Sequence, residues 1–139
     1  MNKTKRFSTD IEVRFRDIDA MGHVNNAVFF TYFEEGRKHF VHQVFGVKGP
    51  SDFSFILAHV RCDYLRPIKL NNRVSLEMWV SEIGAKRFNL KYELVDSDDR
   101  AVVFASGESV QVCFDYQQNR STAVSKELRE KLDVYYQQD

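Results

Sequence analysis

Asp17 and Asp19, followed closely by His23 and the pair Asn25 and Asn26, form the densest run of chemistry-capable side chains in the sequence. Aspartate is ionised at neutral pH, so it can attack an acyl carbon directly or take a proton from water. The first N–H groups of a helix lack internal partners and carry the positive end of the dipole. A helix beginning at Asn26 would therefore offer donors to a carbonyl oxygen as it becomes negative. A carboxylate beside helix-start amides is equipment for acyl transfer. The same residue types also have plain structural uses. Aspartate before a helix commonly forms an Asx turn, and asparagine is a common helix cap. From the residues alone the structural role is the commoner one for both aspartates, while capping by Asn25 or Asn26 is compatible with catalysis because the cap sets where the helix begins.

Other reactive types are more scattered. Glu34 and Glu35 have the spacing to pair with Lys38 and His39 on a helix, which makes them solvated or paired residues first. His39 and His42 are three apart but no carboxylate or cysteine completes a ligand set, so no metal site is expected. Cys62 and Cys113 each stand alone in a strand-like stretch, without a C-x-x-C pair, and read as free thiols in a reducing compartment.

The elements that must position Asp19 follow from the period of the apolar residues. Phe7, Thr9, Ile11, Val13 and Phe15 alternate with polar residues and predict a half-buried strand. From Asn26 the period changes: Phe29, Phe33, Gly36, Phe40 and Val44 step by three or four, and Phe30, Tyr32, Val41 and Phe45 widen the apolar face. This predicts a buried central helix, left at Gly46, Gly49 and Pro50. Alternation then predicts four more strands, one from Ile56 to Tyr64 ended by Pro67, one over 74–81, one over 88–94 and a long one from Ala101 to Phe114. Gly107, inside the last, marks a bulge or a close approach by the helix or a ligand. Ser125 is a candidate cap for a short final helix carrying Leu128, Leu132 and Tyr135. The later strands have no crossover helices between them, so their neighbours are antiparallel. The expected fold is α+β, one curved antiparallel sheet wrapped around one long helix.

With 139 residues, of which 43% are hydrophobic, the chain has the size of one domain, residues 1–139, with a real core. Its 20 basic and 20 acidic residues cancel, which gives no global attraction to nucleic acid or an anionic membrane. The first strand starts near Phe7 and leaves no room for a signal or transit peptide, and no apolar run reaches the length of a membrane span. A cytoplasmic location is the expectation.

The run Asp17-Ile18-Asp19-Ala20-Met21-Gly22-His23-Val24-Asn25-Asn26, followed by Phe30 and Glu34-Glu35-Gly36-Arg37, resembles the signature of the hotdog-fold acyl-CoA thioesterases of the 4-hydroxybenzoyl-CoA thioesterase-like group. Tyr64-Leu65-Arg66-Pro67-Ile68 resembles that group's second recurring segment. The resemblance implies the hotdog fold, a homodimer or homotetramer with active sites between subunits, and hydrolysis of an acyl-CoA thioester without a cofactor. By position, Asp19 matches the family's catalytic carboxylate and Asn26 the residue whose N–H bonds the thioester carbonyl. Asn25 and His23 belong to the same segment, though the resemblance assigns His23 no fixed chemistry. Branches differ in whether the carboxylate lies on the turn or on the helix, so Glu35 is the reserve candidate. Gly36 stands where alanine is more usual. Coenzyme A carries phosphates, for which Arg66, Lys69, Lys86 and Arg87 are candidate partners at strand ends or turns. A thioesterase for acyl carrier protein would share this chemistry but need a basic docking surface, and a non-catalytic acyl-CoA binding protein would keep the fold alone. A hydratase ranks lower, for want of a matching histidine motif.

Overall fold

The computed structural model describes residues 5–46 and 55–138. In chain order it contains β1 (Phe7–Ile11), a 3₁₀ turn (Phe15–Asp17), α1 (Asn26–Phe45), β2 (Phe55–Tyr64), β3 (Val74–Ile83), β4 (Arg87–Asp96), β5 (Val103–Asp115), β6 (Arg120–Ser121) and α2 (Lys126–Asp133). All strand pairs are antiparallel, in the order β1-β3-β4-β5-β2, and the two-residue β6 pairs with the end of β5. The expected α+β arrangement is the one observed, with β6 as an addition.

Helix α1 touches every long strand. Phe40 packs edge-on against Phe7 of β1, Phe29 against Tyr64 of β2, and Phe33 stacks on Tyr92 of β4 at 4.5 Å between centroids. Gly36 lies against Leu76 and Met78 of β3, and Gly107 of β5 lies under the Phe33 ring. The partner that Gly107 makes room for is therefore the helix. Of the predicted helix face, Phe29, Tyr32, Phe33, Gly36, Phe40 and Val41 are buried, while Phe30, Val44 and Phe45 are half-buried against the core. Gly46 ends the helix in the left-handed conformation, φ 67°, and its N–H donates to the His42 carbonyl. Gly49 and Pro50 lie outside the described residues.

Two expectations are corrected. β1 stops at Ile11, and Phe15 is 82% exposed instead of continuing the inward row. The reason is local: the Asp17 carboxylate accepts the Arg14 N–H, and the Arg14 carbonyl accepts the Asp17 N–H, which together fold the chain into a turn. Arg6, ahead of β1, is tied down. That side chain bonds Glu77, Glu93 and Gln137 and covers the Trp79 ring. Lastly, Tyr135 lies beyond the end of α2. The tail after α2 runs beside β3, exchanging backbone bonds with both groups of Val80. Ser125 does cap α2, accepting the Leu128 N–H at 3.1 Å. Among the described residues no helix is long and apolar enough to cross a membrane.

The two close approaches differ in what a methyl group would meet. At Gly107 it would lie 2.5 Å from a Phe33 ring carbon and 2.8 Å from the Arg61 carbonyl oxygen, and backbone cannot step aside. At Gly36 it would meet the side-chain ends of Leu76 and Met78, and alanine would add about 1 kcal/mol of helix propensity in return. Gly107→Ala is expected to cost about 1–3 kcal/mol of overpacking and Gly36→Ala less. Urea unfolding of the two variants beside the wild type checks the order.

Candidate active site

The run that carries both aspartates folds into a small hairpin. Ile18 and Val24 bridge, the Asp19 N–H donates to the His23 carbonyl at 2.8 Å, and the Gly22 N–H donates to the Asp19 carbonyl at 3.0 Å. Gly22 has φ 84°, the left-handed residue that a three-residue loop of this kind requires. One carboxylate oxygen of Asp19, Oδ1, accepts the N–H groups of Met21 at 2.9 Å and His23 at 3.3 Å. The other, Oδ2, has no partner among the described residues. The Asx-turn role therefore uses one oxygen and leaves the second for chemistry.

Asp17 does a different job. It is buried at 4% exposure, and its Oδ2 accepts the Tyr32 hydroxyl at 2.7 Å and the Arg14 N–H at 3.0 Å. Its carbonyl accepts the Asn25 N–H at 2.9 Å. Burial, together with the Asp17 bond, raises the Tyr32 hydroxyl well above the ordinary tyrosine range, so it stays protonated and donates. The aspartate is thereby a strut between the turn, the cap and the second turn of α1.

At the helix start Asn25 is the cap. Its Oδ1 accepts the Ala27 N–H and its carbonyl accepts the Val28 N–H, each at 2.9 Å. The Asn26 N–H is left without a partner among the described residues. The Asn26 carbonyl is held from outside by the Tyr64 hydroxyl at 2.8 Å. Tyr64 sits at the end of β2, and the segment after it is fixed by the Leu65 and Arg66 N–H groups, both donating to the Phe104 carbonyl. Val24 then donates to the Ile68 carbonyl, which clamps this segment against the hairpin.

These pieces enclose a cleft of about 310 Å³ lined by Asp19, Met21, His23, Val24, Asn26, Phe29 and residues 64–67. Of the sequence candidates, the cleft gathers Asp19, His23, Asn26 and Arg66, with Asn25 at its edge as the cap. Lys69 is exposed in the next turn, its N–H donating to Asn72. Glu35 lies elsewhere. It faces a separate cleft with Asp10, Glu12, Arg14 and Tyr32, and pairs loosely with Lys38 at 3.7 Å and His39 at 3.8 Å. The Lys38 partner is thus Glu35, one residue on from the expected Glu34. Lys86 and Arg87 are at the far end of the sheet. Arg87 pairs with Val112 in register, eight residues along β5 from Phe104, or roughly 26 Å. Its guanidinium is engaged by Glu82 at 2.5 Å and Asn89 at 2.8 Å. Tyr64 is a site residue that the sequence does not mark as one, since there it ends an alternating row and opens the second recurring segment, neither of which assigns its hydroxyl a partner. A cysteine nucleophile is not available beside it, since burial pushes the Cys62 thiol up to about 11.

A family model for the thioesterase-like superfamily matches residues 13–132, a span that takes in the hairpin, the helix and every long strand but β1. The chain belongs to the thioesterase-like superfamily. Its class is that of thioester hydrolases. Among individual proteins, the long-chain acyl-CoA thioesterase FadM of Escherichia coli is 26% identical over 133 residues, covering 90% of this chain and 96% of that one. A predicted thioesterase from Bacillus stearothermophilus superposes with a TM-score of 0.89 at 24% identity, covering 97% of this chain and 99% of the other, and this likeness speaks for the fold. A Thermus thermophilus thioesterase solved with coenzyme A and zinc has a TM-score of 0.78 at 29% identity, with 90% of each chain covered. The superfamily member described here has the hotdog architecture, a single long helix held against an antiparallel sheet.

The strut at Asp17 gives a test of what holds the hairpin to the helix. Tyr32→Phe removes one donor from a buried carboxylate and leaves the packing in place. The expected loss is about 1–3 kcal/mol, read as a lower urea midpoint with an unchanged slope.

Proposed function

We propose that the chain hydrolyses an acyl-CoA thioester to the free acid and coenzyme A, with Asp19 as the reacting carboxylate and the Asn26 N–H as the donor to the thioester oxygen. One observation carries this reading: an unspent carboxylate oxygen and an unspent first-turn amide share one cleft. Attack at the carbonyl carbon, by Asp19 Oδ2 or by water that Asp19 deprotonates, places negative charge on the carbonyl oxygen, where a helix-start N–H is most effective. Collapse of the tetrahedral species breaks the carbon–sulfur bond. The departing thiol has a pKa of roughly 8.5, so it leaves as thiolate without a strong general acid. If Asp19 itself attacked, water then cleaves the acyl anhydride and restores the carboxylate. The likeness to a long-chain acyl-CoA thioesterase and to a thioesterase solved with coenzyme A supports the choice of substrate class. Arg66, exposed on the rim of the cleft, is the nearest candidate for a phosphate of the cofactor portion.

The assembly belongs to the same proposal. β2 is an edge strand of ten residues, and Ile56, Leu57, Tyr64 and, just beyond it, Leu65 are 36 to 57% exposed. An edge so long and apolar is a pairing surface. Antiparallel pairing of β2 with the β2 of a second copy gives a closed two-fold dimer, and brings the Phe55 end of one strand beside the Tyr64 end of the other. The far end of the partner's sheet, with Lys86 and Arg87, then approaches the Asp19 cleft.

Release of free thiol from short, long and aromatic acyl-CoA esters tests the chemistry. Asp19→Asn is expected to lower turnover by at least about a hundred-fold with an unaltered circular dichroism spectrum. Near-normal turnover in that variant would remove Asp19 from the mechanism. Sedimentation equilibrium tests the assembly, with a dimer mass expected at micromolar concentration. A monomer throughout that range would rule out a shared site.

A further inference from the structure

A second cavity, of about 300 Å³, opens between the later turns of α1 and the strands β2, β4 and β5. Its walls are apolar, from Phe40, Val41, Phe55, Leu57, Phe88 and Leu90. Its floor is not. Arg37 Nη1 donates to the Tyr92 hydroxyl at 3.2 Å, the Tyr92 hydroxyl bonds Ser109 Oγ, Ser109 Oγ donates to Gln111 Oε1, and Gln111 Nε2 donates to the Phe88 carbonyl at 3.1 Å. Ser109 has a single proton and gives it to Gln111, so Tyr92 must donate to Ser109. The chain of bonds therefore runs head to tail in one direction, and the hydroxyl protons along it are all spent inward.

What the floor has left to offer is donors. Gln111 is buried at 4% exposure and, among the described residues, uses one of its two amide protons. Arg37 is half-buried, makes one hydrogen bond from five N–H groups, and has no carboxylate partner among the described residues. The rim adds Glu34 and Lys38, of opposite sign, both exposed, and Lys38 is shared with Glu35. With Lys38 paired to Glu35, Arg37 is the cation of the cavity that no carboxylate engages among the described residues. An arginine of this kind, beside an apolar chamber and with no ion pair to the Glu34 of the rim, fits a carboxylate at the end of an apolar body.

We infer that this cavity receives the far end of the acyl group and selects acyl groups that end in a carboxylate, with Arg37 and Gln111 as the specificity-determining residues. The inference rests on the thioester hydrolase reading given above. Phe55, Ile56 and Leu57 line the cavity, whereas Tyr64 and Leu65 line the Asp19 cleft, so the two spaces lie at opposite ends of the same edge strand. Antiparallel pairing of two β2 strands sets the cavity of one protomer against the cleft of the other. An acyl group bound at Asp19 then needs only to cross the interface to reach Arg37. At about 300 Å³ the chamber stands at the small end of ligand sites and suits a compact acyl tail.

The experiment compares adipoyl-CoA with hexanoyl-CoA, which have equal carbon number and differ in the terminal carboxylate. Wild type is expected to prefer adipoyl-CoA in kcat/KM by on the order of ten- to a hundred-fold. In Arg37→Met the ratio should fall to near one, and Arg37→Lys should keep part of it, which a merely structural arginine would not show. Equal kcat/KM for the two esters in the wild type, or a preference that survives Arg37→Met, would overturn the inference while leaving hydrolysis established. Cleavage of other esters of the panel but of neither of these two would also overturn the inference; if no ester at all is cleaved, the hydrolase reading fails and calorimetric titration decides the cavity alone. Octanoate should then bind at least about ten-fold tighter than octan-1-ol to the wild type and not to Arg37→Met. Equal binding, or none, would discard the cavity as a carboxylate site.

Discussion

The approach of α1 to the middle of the sheet is the constraint on which the other features depend. Phe33 sits directly on Gly107 and stacks on Tyr92, and Gly36 lets Leu76 and Met78 close in from the neighbouring strand. Two glycines thus fix the height of the helix at one level. Around that point everything is close-packed. Away from it, space opens in both directions along the axis: toward Asn26 as the cleft with Asp19, and toward Val41 as the chamber floored by Gln111.

The reacting end is then organised by chain-local devices. The hairpin over residues 18–24 holds one oxygen of Asp19 with its own backbone, and Asp17 ties that hairpin to Tyr32 and to the cap. Only Tyr64 and the segment after it come from far in the sequence, anchored to Phe104. The division has a physical logic. Short-range bonds hold the carboxylate in place without help from the core, while the long-range clamp adds the second wall of the cleft.

This division also explains what was legible in the sequence. Period-two and helical patterns gave the long strands and α1, because each is apolar on the face that the core demands. The aspartate–asparagine run pointed to the cleft because its parts are adjacent in the chain. β1 was overextended because Val13 and Phe15 continue the alternation by type, and only the carboxylate of Asp17 bends the backbone there. The role of Tyr64 is not legible in its segment, since its hydroxyl meets Asn26 across a separation that no pattern records. The polar chain from Arg37 to Gln111 was equally hidden. Its members come from α1, β4 and β5, and each looks like an ordinary inward or boundary residue until the register aligns them.

The strand order has a consequence for how the chain becomes a protein on the ribosome. β1 and β2, the first strands to emerge, occupy the two ends of the order β1-β3-β4-β5-β2, and neither pairs with its neighbour in sequence. The hairpins β3–β4 and β4–β5 close locally and need no earlier segment. β1 and α1 therefore wait for a sheet that is translated after them, and β2 waits for β5, the last long strand. Through that interval the aromatic face of α1 has no cover. Such a nascent chain is exposed to misassociation until the stretch up to Asp115 is translated, so the pace of translation bears on its yield.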